Sequence, residues 1–141
     1  MDIRPYESAD RDSCLAVFDS IGSGERLAFE AFLDGPTGEY FVMEHERAVA
    51  GCGGYAISGD GVAASLVWGM VRRDLQRMGL GRFLLLYRIR EIGKAGNVEL
   101  VVVQTPRQSA PFFEKQGFRM NASGLDRVEM IKRLTVCASK V

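Results

Sequence analysis

Between Val62 and Val103 the chain runs through an apolar strand-like segment, a junction rich in glycine and arginine, a long apolar helix-like segment and a second apolar strand-like segment. The junction, Gln76-Arg77-Met78-Gly79-Leu80-Gly81-Arg82, narrows the possible folds most. Two glycines at a strand-to-helix turn leave backbone N–H groups bare, and the helix N-terminus adds partial positive charge at the same place. Such a turn is a cradle for a pyrophosphate.

The flanking pattern places this junction in a mixed α/β sheet with helices on its faces. A short edge strand is expected around residues 2 to 6, closed by Pro5. Ser8 is expected to cap a helix through about Ser20, with Cys14, Leu15, Val17 and Phe18 on its apolar side. A second helix is expected over Glu25 to Leu33. Strands follow at Tyr40 to Met43, Ala48 to Ile57 and Val62 to Val71, with Glu44 to Arg47 as a polar hairpin turn and Ser58 to Gly61 as another. The helix from about Gly79 to Lys94 carries rows Leu80, Leu84, Tyr87 and Leu85, Ile89, Ile92, a stripe wide enough to require burial against a sheet. Val98 to Val103 reads as a central strand covered on both faces. Ser109 to Gln116 reads as a short helix, Arg119 to Arg127 as a loop, Val128 to Leu134 as a last strand, and Cys137 to Val141 as a loose tail. The 141 residues fit one domain, 1–141.

Composition removes several functional classes. The 18 basic and 18 acidic residues cancel, which argues against a nucleic-acid partner, since phosphate contacts need a net basic surface. Cys14, Cys52 and Cys137 are far apart and form no CxxC pair, so neither a disulfide scaffold nor a metal site is expected. Reduced thiols suit a cytoplasmic protein. The N-terminus lacks the apolar core of a signal sequence, and no apolar run approaches the ~20 residues that span a bilayer. No membrane partner is expected. Cys137 is fifth from the end, so a prenylation pattern fails.

Other phosphate motifs are absent. There is no GxxxxGK[ST], and the third glycine of a dinucleotide fingerprint is replaced by Leu84. A glycine turn that merely packs a helix onto a strand is the plainer alternative. Against it, Arg72, Arg73, Arg77 and Arg82 crowd the junction, with Asp74 the only nearby acid. Arginine in a first helical turn opposes the macrodipole, an arrangement that makes sense when an anion offsets both.

Gln76-x-x-Gly79-x-Gly81 resembles the Q/R-x-x-G-x-G/A signature of the GNAT superfamily of N-acyltransferases. Trp68-Gly69-Met70-Val71 resembles the strand leading into it. Pro111-Phe112-Phe113-Glu114-Lys115-Gln116-Gly117-Phe118 resembles that family's second signature, an aromatic pair followed by a Gly-Phe corner. The order of elements across about residues 2 to 134 matches as well. The resemblance implies a mostly antiparallel sheet with one parallel, splayed strand pair and about four helices. It implies that Val62 to Val71 and Val98 to Val103 part to admit a cofactor arm. It also implies acetyl-CoA as acyl-donor co-substrate, with Gly69, Met70 and Val71 meeting the pantetheine arm through their backbone. Gln76, Arg77, Met78, Gly79, Leu80, Gly81 and Arg82 would then hold the pyrophosphate. The implied reaction is direct attack of a primary amine, carried by a small molecule or a peptide, on the thioester. Homodimers are common in the family.

Three chemical demands follow. The amine must lose a proton, since an alkylammonium has a pKa of ~10.4. The acyl oxygen needs a donor, which the Met70 amide is placed to supply. The departing thiolate benefits from an acid. Relatives often carry a tyrosine for that last role at the second aromatic of the corner motif; here it is Phe113, which has no proton to give. No carboxylate occurs between Val62 and Val71. Thr105, beside Gln104 at the end of a buried strand, is the polar candidate for the cleft. Glu99, Tyr55 and Ser65 are weaker ones, and His45 and Cys52 have no visible base or partner. Asp126 and Glu129 offer negative charge to a cationic acceptor or are surface charges. The missing tyrosine and base leave open a second class, an acyl-CoA-binding sensor without turnover, and a third, an interaction module without cofactor. Acceptor specificity is expected in Ser8 to Leu33 and in Arg119 to Arg127.

Overall fold

The computed structural model describes residues 1–22 and 24–134. The expected tail at Cys137 to Val141 lies outside the described residues. Among the described residues, seven strands and four α-helices follow one another as β1 (Asp2–Pro5), α1 (Arg11–Ile21), α2 (Arg26–Asp34), β2 (Glu39–His45), β3 (Ala48–Ile57), β4 (Ala63–Val71), α3 (Leu80–Gly93), β5 (Leu100–Pro106), α4 (Ala110–Lys115), β6 (Arg119–Ser123) and β7 (Arg127–Arg133). The strands form one sheet in the order β1-β2-β3-β4-β5-β7-β6. Its one parallel pair is β4 with β5, over Ala63↔Leu100 to Leu66↔Val103. No described helix is long and apolar enough to cross a membrane.

The chain folds into two compact units. One comprises Met1–Ala56 and Val67–Arg88; the other comprises Ile57–Leu66 and the chain from Ile89 onward. In the first, α1 and α2 lay Cys14, Leu15, Val17, Phe18, Phe29 and Leu33 against Tyr40, Val42 and Cys52 of β2 and β3. A second apolar cluster joins Met43, Ala50 and Val71 to Leu80 and Leu84 of α3. The expected stripe of α3 is therefore real, with Leu80, Leu84, Leu85 and Ile92 each 2% exposed or less. In the second unit, β5 and β7 run antiparallel from Leu100↔Arg133 to Pro106↔Arg127. Their buried residues include Val101, Val103, Val128, Met130 and Ile131.

Local differences from the sequence expectation have physical causes. Ser8 does not cap α1. It opens a 3₁₀ turn, Ser8–Asp10, and the Asp10 carboxylate accepts the Glu7 amide at 2.9 Å. The β2–β3 turn is tighter than expected, since only Glu46 and Arg47 leave the strands, both left-handed at φ 51° and 67°. That is the twist a two-residue hairpin loop needs. Strand β5 runs on to Pro106 because β7 supplies backbone partners for Gln104, Thr105 and Pro106. The span expected to be a loop, Arg119 to Arg127, contains β6, paired antiparallel to β7. All five residues of β6 are exposed, so it carries none of the period-two apolar signal that marks a strand.

Candidate functional site

The segment from Trp68 to Arg82 lies wholly in the first unit. After β4 the chain makes a 3₁₀ turn at Arg73–Leu75 and reverses into α3. Residues Gln76 to Gly79 are exposed, so the reversal is open to solvent. Arg77 (φ 68°) and Gly79 (φ 82°) are both left-handed, with Met78 between them. Alternation of this kind turns successive N–H groups toward one concavity, an anion-binding nest. Among the described residues, the amides of Arg77, Met78 and Gly79 donate no hydrogen bond. The first-turn amides of α3 have no intrahelical partner either. A Cβ on Gly79 would meet open space, so the cradle is unfilled by the protein itself.

The arginines divide into two groups. Arg72 pairs with Asp74 at 2.7 Å and holds that carboxyl below its usual range. Arg73 caps the end of α1, donating to the carbonyls of Ser20 at 2.8 Å and Ile21 at 2.9 Å. Its backbone N–H meets the Ser20 hydroxyl at 3.0 Å. These two tie the loop to the fold. Arg77 and Arg82 are exposed and make no ion pair among the described residues. Gln76 turns its side-chain amide back onto the Val71 carbonyl at 3.0 Å, closing the loop on the strand that precedes it.

Strand β4 is distorted immediately upstream. Trp68 has φ 44°, a conformation that costs a bulky residue about 1–3 kcal/mol and survives only where its surroundings fix it. Its ring lies 5.0 Å from Phe29 and 6.3 Å from Phe32, and its carbonyl accepts the Tyr40 hydroxyl at 2.7 Å. Burial lifts the Tyr40 phenol well above its ordinary value, so it remains a donor. Gly69, next along, faces α3: a Cβ there would lie 2.8 Å from Nη2 of Arg88. Neither Tyr40 nor Arg88 was expected at the site. Tyr40 reads in the sequence as an ordinary strand residue, and Arg88 as the polar side of a helix.

In the second unit, Thr105 is 5% exposed and stands opposite Val128 in the β5–β7 register. Gln104 is exposed and donates to Glu129 at 2.8 Å, while Asn121 donates to the other oxygen of that carboxylate at 2.6 Å. Phe113 is 9% exposed, with ring centroids 5.1 Å from Phe112 and 5.3 Å from Phe118. Gly117 (φ 90°) ends α4, and the Phe118 amide reaches back to the Phe113 carbonyl at 3.1 Å. The Gly-Phe corner is thus a helix stop of the Schellman type. His45 sits at the β2–β3 turn, 3.9 Å from Glu46. Cys52 and Cys14 are fully buried against one another, and that contact together with burial pushes the Cys14 thiol far up, the reverse of an activated nucleophile. No cluster of three or more His, Cys, Asp or Glu suited to a metal occurs among the described residues.

The stretch of chain that builds this nest falls within a match to a known domain. The profile of the acetyltransferase (GNAT) domain covers residues 36–120. The chain belongs to the GNAT acetyltransferases. Its fold agrees with theirs. A structure from Desulfovibrio desulfuricans assigned to the GNAT family superposes with TM-score 0.81 at 22% identity, covering 96% of this chain and 99% of that one. The ribosomal-protein-S18-alanine N-acetyltransferase of Escherichia coli gives 0.80 at 19% identity, over 99% and 97%. The PaiA N-acetyltransferase of Thermoplasma acidophilum, solved with coenzyme A, gives 0.76 at 16% identity, over 94% and 98%. Curated protein sequences give no significant match.

Proposed function

We propose that this GNAT protein, as one acyltransferase domain over residues 1–141, transfers an acetyl group from acetyl-CoA to a primary amine by direct attack. The open nest at Arg77–Gly79 carries the proposal. Its unpartnered amides, the α3 N-terminus and the unpaired guanidinium groups of Arg77 and Arg82 together suit a diphosphate. Leu80 and Gly81 contribute first-turn amides of α3. Gln76 serves by closing the loop on Val71 rather than by reaching the anion. The acyl donor supplies an activated thioester; the chain's part is to bind and orient it. Gly69, Met70 and Val71 would offer backbone groups to the pantetheine arm, and the Met70 amide would be the donor to the acyl oxygen. Holding two reactants in register supplies much of the rate in such transfers.

Acid–base chemistry is sparse, and Phe113 packs its ring among aromatics. A CoA thiol is acidic enough to leave as thiolate, so no protein acid is needed at that position. Thr105, 5% exposed, stays a proposed polar catalytic candidate. The coenzyme-bound neighbour supports the donor assignment, and the ribosomal-protein-alanine neighbour supports an amine acceptor.

Two measurements test the proposal. Titration with acetyl-CoA at 100-fold excess over its Kd should stabilise the fold by about 2.7 kcal/mol, visible as a rise in melting temperature. Thiol release should then depend on one member of a panel of alkyl diamines, aminoglycosides and alanyl peptides. Stabilisation by acetyl-CoA without acceptor-dependent thiol would favour a sensor of acyl-CoA. No stabilisation would overturn the cofactor assignment.

A further inference from the structure

Arg88 is the most deeply buried cation among the described residues, at 5% exposure. It projects from α3 onto the strands beneath. A Cβ on Gly69 would lie 2.8 Å from its Nη2 and 3.0 Å from its Nη1; a Cβ on Gly53 would lie 3.2 Å from its Cζ. The guanidinium therefore occupies the space that side chains at 53 and 69 would take. Its partners are few. Nη1 donates to the Gly54 carbonyl at 3.3 Å, and Nε is buried with no hydrogen-bond partner among the described residues. No carboxylate pairs with it among the described residues. The titratable groups it feels are Tyr40 and Cys52.

A buried cation without a counter-ion is expensive, and an apolar side chain of similar length would fill the same volume at lower cost. Burial pushes its pKa down to about 10, so it still carries its charge at neutral pH. The charge is not used to hold another charge. It lies against Gly69, one residue before the amide assigned to the acyl oxygen, where negative charge grows during transfer. Gly69 itself is open to solvent, but the guanidinium behind it is shielded from water, and a fixed positive charge that needs no rearrangement stabilises such growth.

We propose that Arg88 is a positioning residue for acyl transfer. Seated in the gap left by Gly53 and Gly69, its uncompensated guanidinium lies against the Gly69 backbone and supports, across that strand, the negative charge that would develop on an acyl oxygen held by the Met70 amide. This rests on the acetyltransferase proposal above.

The test compares wild type with Arg88→Met, Arg88→Lys and Gly69→Ala, using acetyl-CoA and the panel amine that gives the fastest thiol release. Arg88→Met keeps the volume and removes the charge. It should lower kcat by about 10- to 100-fold while leaving KM for acetyl-CoA within about threefold. Arg88→Lys restores charge without the planar fork and should recover part of kcat. Gly69→Ala, which displaces the guanidinium but leaves it in the chain, should lower kcat in the same sense even if Arg88→Met fails to fold. Equal losses in Arg88→Lys and Arg88→Met would reduce Arg88 to a packing role and overturn the proposal. So would an unchanged kcat in Gly69→Ala. Absence of thiol release from the wild type, by contrast, would strike the acetyltransferase proposal first and this one with it.

Discussion

Trp68 holds a left-handed backbone at φ 44° because its neighbours leave it little choice. Its ring is wedged among Phe18, Phe29 and Phe32, and its carbonyl is held by Tyr40 at 2.7 Å. Removing only the hydroxyl isolates the second constraint. Tyr40→Phe leaves the Trp68 carbonyl without its donor in a partly buried setting, at a cost of about 1 kcal/mol. Urea denaturation should show a lower midpoint with an unchanged slope, and a midpoint equal to wild type would mean that the rings alone fix the strand. None of this was legible in the residues. Trp68-Gly69 shows in sequence only as part of the strand leading into the junction, and Gly53 only as a glycine within an expected strand. Their meaning comes from Arg88, which meets them only once α3 is laid on β3 and β4. One arginine among the three of α3, Arg88 carries no mark in the sequence of the glycines it will face.

At the scale of elements, the junction was legible because its signal is local. A nest needs left-handed residues, an open approach and a helix start, all within seven positions; Gly79 marks one left-handed position directly, while the other falls on Arg77, which gives no such sign. The surrounding arginines misled by number, since Arg72 and Arg73 are committed to Asp74 and to the end of α1. Strand β6 was missed for the opposite reason: its pairing is real, but every side chain is exposed. The junction yields a prediction in which binding and stability part company. Gly81→Glu places a carboxylate in the first turn of α3, where the macrodipole welcomes it and where glycine is a poor helix former. The same carboxylate repels a diphosphate. Calorimetry should find acetyl-CoA affinity reduced by about 100-fold or more, while the melting temperature without ligand stays equal to wild type or rises. If affinity is retained, the diphosphate lies elsewhere. If affinity and stability fall together, the loop is a structural element and its openness is incidental.

For the molecule as a whole, element order was readable because periodicity changes cleanly from segment to segment, while the pairing that builds the sheet was implied only by resemblance. Electrostatics at this scale were even less visible. A chain with 18 residues of each sign says nothing of which charges meet. In the fold, the carboxyls of Asp10, Asp19, Asp60 and Asp74 all sit below the ordinary value of 3.8, held there by Arg4, Arg26, Ser58 and Arg72 respectively. A carboxyl whose folded pKa is depressed binds fewer protons in the native state than in the unfolded chain. Its contribution to stability is therefore complete above pH 3.8 and is lost as pH falls further. Asp19, Asp60 and Asp74 are screened by solvent, so their share should fade in 0.5 M salt. Asp10 differs, since it is 7% exposed and accepts from Nη1 and Nη2 of Arg4, each at 2.8 Å, together with the Glu7 amide. Asp10→Asn should be less stable than wild type by about 1–3 kcal/mol at pH 7, with little sensitivity to salt. The gap should close as pH drops below 3.8, because protonating Asp10 does to the wild type what the substitution did to the variant. Melting curves of both proteins from pH 7 to pH 3, at low and high salt, decide the matter. A gap that stayed constant across that range would mean that the Arg4–Asp10 pair contributes shape and not charge.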